Sequence, residues 1–399
     1  MKYVNAKNIL PQKLVDEIME YVDGVYIYIP KKDSNIKPRE RSNDYKIEMK
    51  IRDINIYEHY LIGMSYEDIA TMYCLSEKSI RRIVLSQKKR MEPEKMKVEQ
   101  IINEFGVTGD IKQIYTSAWE IDNKYVLKKY TDVSELQRNV NVLSVLYAEN
   151  VPVPKIINTN DGKMYYDNEG EYCVLTEKLQ GSNIVNVNKC DEQWFFNMGR
   201  IIAKLHIAFD ACENKIQYWN NSLLGEMESW IKKNIEETND EYISVDELDS
   251  VIYELKKVDD KLSRGLIHRD VHLGNFLFYN NKFSGYIDFD LSQKNIRVFD
   301  ICYFMLGLLL EEEENKVDEN KWFEYLTYVV KGYNSLIKMS DDECKSIAVV
   351  MESIELLFVA YFIGEHDDKA ARDSLQLYRF CKDNHDRIIK CVSNISFLK

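Results

Sequence analysis

The residues best suited to chemistry crowd into one stretch, 265–290, which reads GLIHRDVHLGNFLFYNNKFSGYIDFD. It holds His268, Asp270 and Asn275 in the order H-x-D-x4-N, and then Asp288 and Asp290 in I-D-F-D. Phosphoryl transfer needs hard oxygen ligands for Mg²⁺ and a carboxylate beside the attacking hydroxyl. Asp270, Asn275 and Asp288 supply that set. The residues between must bring them together. Strand-like runs at 276–279 and 283–289 flank Asn280-Asn281, a pair suited to a tight hairpin turn. A two-residue turn sets Tyr279 opposite Lys282 and Asn275 opposite Tyr286, so Asp288 finishes the return strand beside the loop that carries Asp270 and Asn275.

This constellation resembles the catalytic and metal-binding loops of kinases. Its wording is nearest to the aminoglycoside phosphotransferase and choline kinase superfamily, whose pattern is H-G-D-x-x-x-x-N followed by I-D-[FW]-[DEG]. An H-R-D or a D-F-D alone is common in surface turns; the combination carries the resemblance. Arg269 stands where that family usually has Gly, as in protein kinases, but no activation segment ending in A-P-E follows. The resemblance covers roughly residues 100–390. It implies an α+β, bilobal protein-kinase-like fold with a small β-rich N-lobe and a larger helical C-lobe. It implies Asp270 as catalytic base, Asn275 and Asp288 as metal ligands, and His268 as a structural brace. His206 becomes a core histidine, and Asp300 a brace for the catalytic loop.

Upstream, runs 111–116, 118–121 and 124–130 read as short strands, with Asp122-Asn123 at a hairpin turn. Val126, Lys128 and Tyr130 share one face of the last strand. A valine against adenine and a lysine against phosphate, two residues apart, is what a nucleotide lobe requires. Lys128 is the expected phosphate ligand, and a register slip of one would hand the role to Lys129. The turn 115–119 (YTSAW) would cover the phosphates without a glycine, Ser117 offering hydroxyl or backbone contacts. In relatives the helix at 134–148 carries a glutamate that pairs with the lysine; Asn139 aligns there, with Glu135 one turn earlier as a substitute. Residues 177–181 (EKLQG) resemble the family's hinge, with Thr176 at the entrance and the backbones of Glu177 and Leu179 turned to an adenine edge. The implied cofactors are ATP or GTP, and Mg²⁺.

Charge divides the chain. Residues 1–95 hold 18 basic and 15 acidic side chains, a net +3, which leaves 35 basic and 51 acidic in the remainder, a net −16. The acidic body argues against nucleic-acid binding by the whole molecule and leaves it to the head. From Ser65 the head reads SYEDIATMYCLSEKSIRRIV. Ser65 with Asp68 starts one helix bearing Ile69, Ala70 and Tyr73, and Ser76 starts another bearing Ile80 and Ile83, with Lys78, Arg81 and Arg82 elsewhere. This resembles a bacterial helix-turn-helix, although Cys74 takes the turn position where Gly is frequent. Apolar runs at 10–29 and 54–61 offer faces for the pair to pack on. Residues 1–90 as a whole are similar to small bacterial proteins related to the Mor transcription activator. The resemblance implies double-stranded DNA as a partner through residues 65–85, with 76–79 near base edges and Arg81 and Arg82 near phosphate. The plainer alternative is a helical hairpin that docks protein.

The expected organisation is a helical helix-turn-helix domain at 1–90, a connection at 91–99, an N-lobe at 100–179 and a C-lobe at 180–399. A chain that is 45% apolar, with 15 Gly and 6 Pro, is neither collagen-like nor disordered. The apolar runs 298–310 and 347–363 contain Asp300, Glu352 and Glu355, so no membrane span is expected. The start MKYVNAKNILPQK lacks a signal-peptide core, which points to the cytoplasm, and eight cysteines without a C-x-x-C pair point to reduced thiols. The functional expectation is an Mg²⁺-dependent small-molecule phosphotransferase moving the γ-phosphate of ATP or GTP to a hydroxyl. An acidic body favours a cationic acceptor such as an aminoglycoside or amino alcohol. The alternative is a DNA-binding transcription regulator with a kinase-like body as ligand sensor.

Overall fold

The computed structural model describes residues 43–393 except 74, 169, 184–186, 239 and 311–316, with backbone alone for 43–51 and 89–96. The apolar run 10–29 and the turn residue Cys74 lie outside the described residues. The head comprises α1 (Asn43–Leu61), α2 (Tyr66–Met72) and α3 (Glu77–Glu104). The hydroxyls of Ser65 and Ser76 accept from Asp68 N (3.1 Å) and Ser79 N (3.2 Å), satisfying donors that each helix start leaves free. Ile56, Tyr57, Ile69, Ile80, Ile83 and Val84 form the head's buried core, while Lys78, Arg81 and Arg82 face solvent. α3 continues well past the hairpin. Its backbone stays helical through 91–99, Pro93 included, and Val98, Ile101, Ile102 and the following Phe105 join Trp119, Ile121, Leu127, Cys173 and Leu175 in a second core.

That second core lies beneath a six-stranded sheet. Its strands are β1 (Ile111–Tyr115), β2 (Ala118–Ile121), β3 (Tyr125–Tyr130), β4 (Ile156–Ile157), β5 (Tyr166–Asn168) and β6 (Glu171–Glu177), in the order β1-β2-β3-β6-β4 with β5 also on β6. Asp122 (φ 49°) and Asn123 (φ 56°) make the β2–β3 connection, the left-handed pair a two-residue hairpin demands. α4 (Val133–Ala148) closes one face with Leu136 and Val140 against Tyr130 and Val174.

The second lobe is helical. α5 (Glu192–Cys212) runs beside a later helix so closely that a β-carbon on Gly199 would strike Val329 O. α6 (Val245–Lys256) follows, then a sheet of β7 (Trp219–Asn220), β8 (Arg264–Ile267) and β11 (Gln293–Ile296), and a hairpin of β9 (Phe276–Tyr279) and β10 (Lys282–Tyr286). α7 (Val298–Gly307), α8 (Glu319–Asn334), α9 (Asp341–Gly364), α10 (Asp368–Asp383) and α11 (His385–Val392) complete it. The fold is therefore bilobal, mixed α and β, with a helical head. By length and composition α9 could cross a bilayer, but 72% of its most apolar window is buried inside this lobe.

α9 also buries Glu355, which is 2% exposed and whose carboxyl burial pushes up to about 8. The folded chain thus holds a proton that the unfolded chain releases near its ordinary value of 4.5. Stability from the neutral form is complete below the lower value and drains away as the pH rises through about 8. Glu355→Gln keeps the site neutral throughout, so it should melt above wild type at pH 8–9, with the gap closing toward pH 5. Thermal unfolding across that range checks this, and a gap independent of pH would contradict it.

Candidate active site

Two left-handed asparagines, Asn280 (φ 51°) and Asn281 (φ 59°), turn β9 into β10, and Tyr279 faces Lys282 as the spacing predicts. The count then changes. A bulge between Phe283 and Gly285 adds one residue to β10, so Tyr286 pairs with Phe276 and not with Asn275. Asn275 instead meets the next residue, its carbonyl accepting from Ile287 N at 3.1 Å. Asp288 begins just beyond, in the left-handed region (φ 63°) that a non-glycine residue enters only when held there.

What holds the facing loop is Asp300 on α7, a fully buried carboxylate. It accepts from His268 N and Arg269 N (both 2.9 Å) and bonds His206 Nε2 (3.0 Å), whose Nδ1 meets the Tyr333 hydroxyl (2.8 Å). His268 donates from Nε2 to Ile287 O (3.0 Å), tying the loop to the return strand. Arg269, at φ 67°, occupies a conformation natural to the Gly it replaces. Its guanidinium reaches Gln293 Oε1 (2.8 Å) and both oxygens of the buried Glu226 (2.9 and 3.1 Å). No signal in the sequence linked Arg269 to Glu226.

Asp270 projects from this loop. Asn275 Nδ2 donates to its Oδ2 and its carbonyl (both 2.9 Å), and the Tyr303 hydroxyl donates to its Oδ1 (3.0 Å). Burial pushes the Asp270 carboxyl up, but His272, His268 and Tyr303 outweigh that and hold it below the ordinary carboxylate range. It is an anion at neutral pH.

The N-lobe lysine comes to meet this loop. β3 pairs with β6 so that Val126 faces Thr176 and Lys128 faces Val174. Lys128 Nζ reaches Asp288 Oδ1 (2.9 Å) and Asp290 Oδ2, joining positions 160 and 162 residues away, whereas Lys129 pairs with Glu171 (3.2 Å). Burial works against the ammonium, but Asp290 and Asp288 hold its pKa above the usual value. Glu135 forms no ion pair with it among the described residues, although its carboxyl feels the Lys128 charge. The contact is indirect: Asn139, 5% exposed, donates to Asp290 Oδ1 and to the Tyr130 hydroxyl (2.7 Å), and that hydroxyl donates to Asp290 Oδ1 (2.9 Å). The helix therefore grips the lysine through Asp290, a residue quoted in the I-D-F-D motif but given no task. Asn139→Leu keeps the volume and removes the amide, and a hydrogen bond to a charged group contributes about 1.5–3 kcal/mol. We expect the KM for nucleotide to rise roughly tenfold in steady-state kinetics; an unchanged KM would separate Asn139 from the lysine.

The remaining predicted residues lie on or at the edge of the small lobe. Ser117 sits exposed in the β1–β2 turn, its carbonyl taken by Lys129 N at 2.8 Å. Glu177 N donates to Lys155 O (2.8 Å) and its carboxylate pairs with Lys155 Nζ (3.2 Å), so its amide is already used; Lys178 N donates to Lys124 O (2.7 Å). Leu179 is half-buried and lies next to Gly285 of the hairpin.

Asn275 and Asp288 fit a hard divalent cation: both offer oxygen, and the Lys128 ammonium already stands against Asp288 as a cation would. Among the described residues no three His, Cys, Asp or Glu side chains gather closely enough to hold a metal unaided.

Two lobes, a lysine bridging them and a braced Asp-Asn loop define a kinase-like phosphotransferase. Residues 112–334 match the phosphotransferase enzyme family, and the chain belongs to it. Residues 3–101 match the Mor transcription activator family. The chain is 25% identical over 262 residues to the homoserine kinase of Zymomonas mobilis, covering 63% of this chain and 74% of that one. An uncharacterised Bacillus subtilis protein, YraL, is 34% identical over 87 residues, 22% of this chain and all of that one. Among solved structures, the amicoumacin kinase hAmiN in complex with AMP-PNP, Ca²⁺ and Ami superposes with a TM-score of 0.56 at 17% identity, over 76% of this chain and 96% of that one.

Proposed function

We propose that the chain transfers the γ-phosphate of ATP or GTP to a hydroxyl of a small, amine-bearing acceptor. The observation that carries this reading is the Lys128–Asp288 ion pair, which sets a phosphate-binding cation against the Asp270–Asn275 loop. In this reading Asp270 orients the acceptor hydroxyl and takes its proton onto a carboxylate oxygen. Tyr303 and Asn275 keep that carboxylate aimed, and His272, His268 and Tyr303 keep it ionised. Lys128 draws the phosphates, Val126 packs on the base, and Ser117 lies over the phosphates. At the hinge the Leu179 amide is the better candidate for an adenine edge, since the Glu177 amide is spent on Lys155. Asn275 and Asp288 would hold Mg²⁺, which when bound offsets charge on the phosphate oxygens.

The homoserine kinase similarity supports an acceptor bearing both hydroxyl and amine, and the net −16 of residues 96–399 is in keeping with a cation. The working division is a head at 1–90, a helical connection at 91–99, an N-lobe at 100–179 and a C-lobe at 180–399. The test is full-length protein with Mg²⁺ and ATP or GTP against a panel of amino alcohols, homoserine and aminoglycosides, read as phosphorylated product by mass spectrometry. No product from any pair would sink the reading. A second reading, a duplex-DNA regulator with the body as ligand sensor, is favoured by the match of 3–101 and the exposed Lys78, Arg81 and Arg82. It requires salt-dependent duplex binding through residues 65–85.

A further inference from the structure

The β1–β2 turn is tied to the head. The Thr116 hydroxyl donates to Glu58 Oε1 of α1 at 2.7 Å, and the Gln113 amide donates to Thr116 O at 3.3 Å. A hydroxyl bound to a carboxylate is a strong contact, about twice a neutral hydrogen bond. The turn is also held from within the sheet, Lys129 N donating to Ser117 O at 2.8 Å, so the Glu58 bond is an added tie to the head. Glu58 neighbours the buried Ile56 and Tyr57, which pack with Ile80, Ile83 and Val84 on α3. The far end of α3 enters the core under the same sheet, beside Trp119, the residue that follows Ala118 at the end of the turn. Among the described residues the head is therefore joined to the small lobe by a helix of 28 residues rooted in the body of the sheet, by the packing of α1 against β1, and at the phosphate-side turn by the Thr116–Glu58 hydrogen bond.

We propose that these attachments make duplex binding by the head responsive to nucleotide in the cleft, with the Glu58–Thr116 bond as the coupling contact. When the turn settles on phosphates it moves relative to the sheet, while α3 keeps the head fixed to that sheet. Either the Glu58 bond gives way or the head shifts on its helix. In both cases nucleotide binding and head position share one free energy, and the coupling is reciprocal. The inference rests on the nucleotide and duplex readings above.

The experiment uses the full chain and two titrations. AMP-PNP or GMP-PNP with Mg²⁺ is titrated by calorimetry into wild type, Glu58→Ala and Thr116→Val, and into Glu58→Gln and Thr116→Ser, which keep acceptor and donor. A random-sequence duplex is then titrated by fluorescence anisotropy with and without the analogue. Coupling predicts that Glu58→Ala and Thr116→Val shift the nucleotide Kd by about fivefold or more, with the conservative pair near wild type. It also predicts that the analogue changes duplex Kd by a comparable factor in wild type and not in Glu58→Ala. A Glu58→Ala nucleotide Kd within twofold of wild type overturns the proposal, as does duplex binding indifferent to nucleotide. A shifted nucleotide Kd with no duplex binding in any variant overturns the proposal together with the DNA reading and leaves the kinase reading standing. No nucleotide binding in any variant overturns both the proposal and the kinase reading.

Discussion

Asp270→Asn should reduce phosphoryl transfer by roughly 10² to 10⁴ in kcat, the range removed with a positioned general base, while nucleotide affinity stays within about threefold of wild type. The asymmetry follows from where Asp270 is anchored. Its oxygens receive Tyr303 and Asn275, both from the C-lobe, and among the described residues it forms no hydrogen bond or ion pair with Lys128 or the small lobe. An asparagine can still accept from Tyr303, so the loop and its Asp300 brace stay in place. What disappears is the anion, which His272, His268 and Tyr303 keep ionised well below neutral pH. Because that carboxyl lies below the ordinary range, the wild-type rate should not fall between pH 7 and pH 5 through Asp270. A side-by-side measurement of turnover and analogue binding decides the matter: equal turnover removes Asp270 from its role, and parallel loss of nucleotide binding makes the effect structural.

Much of this site is legible in the sequence because its signals are local. The turn pairs Asp122-Asn123 and Asn280-Asn281 each set a hairpin, and period-two alternation then put Val126, Lys128 and Tyr130 on one face. The bulge at 283–285 was not legible, since nothing in FSG marks the added residue, and it moved Asn275 from Tyr286 to Ile287. Long-range partners were equally hidden. Asn139 looked like a missing glutamate, yet its amide serves the lysine through Asp290, 151 residues away. Arg269 looked like a break with the family, and Glu226 compensates from a helix 43 residues upstream. Spacing reports which side chains share a strand or turn. It does not report that both acids of a short loop will meet one cation from another lobe.

Asp300→Ala should be the most destabilising single change around the site. The carboxylate is wholly buried and serves three donors: His268 N, Arg269 N and His206 Nε2. Removing it strands two backbone amides on a loop that already carries a left-handed arginine, and leaves His206 with the Tyr333 hydroxyl alone among these contacts. Each buried donor left unsatisfied costs about 1–3 kcal/mol, and loss of the charged partner from a buried network costs about 3–5 kcal/mol in total. At about 2–4 °C per kcal/mol for a body of this size, the melting temperature should drop by roughly 6–20 °C. Asp300→Asn should fall between, because one oxygen still accepts while the new amide faces a donor. Activity should decline with the fold in Asp300→Ala, and faster than the fold in Asp300→Asn, where the chain remains assembled but the loop bearing Asp270 loses one of its two backbone anchors. Thermal unfolding of both variants beside turnover below their melting temperatures makes the comparison. An alanine variant melting within 2 °C of wild type would mean that the strands and α7 hold the loop without the carboxylate.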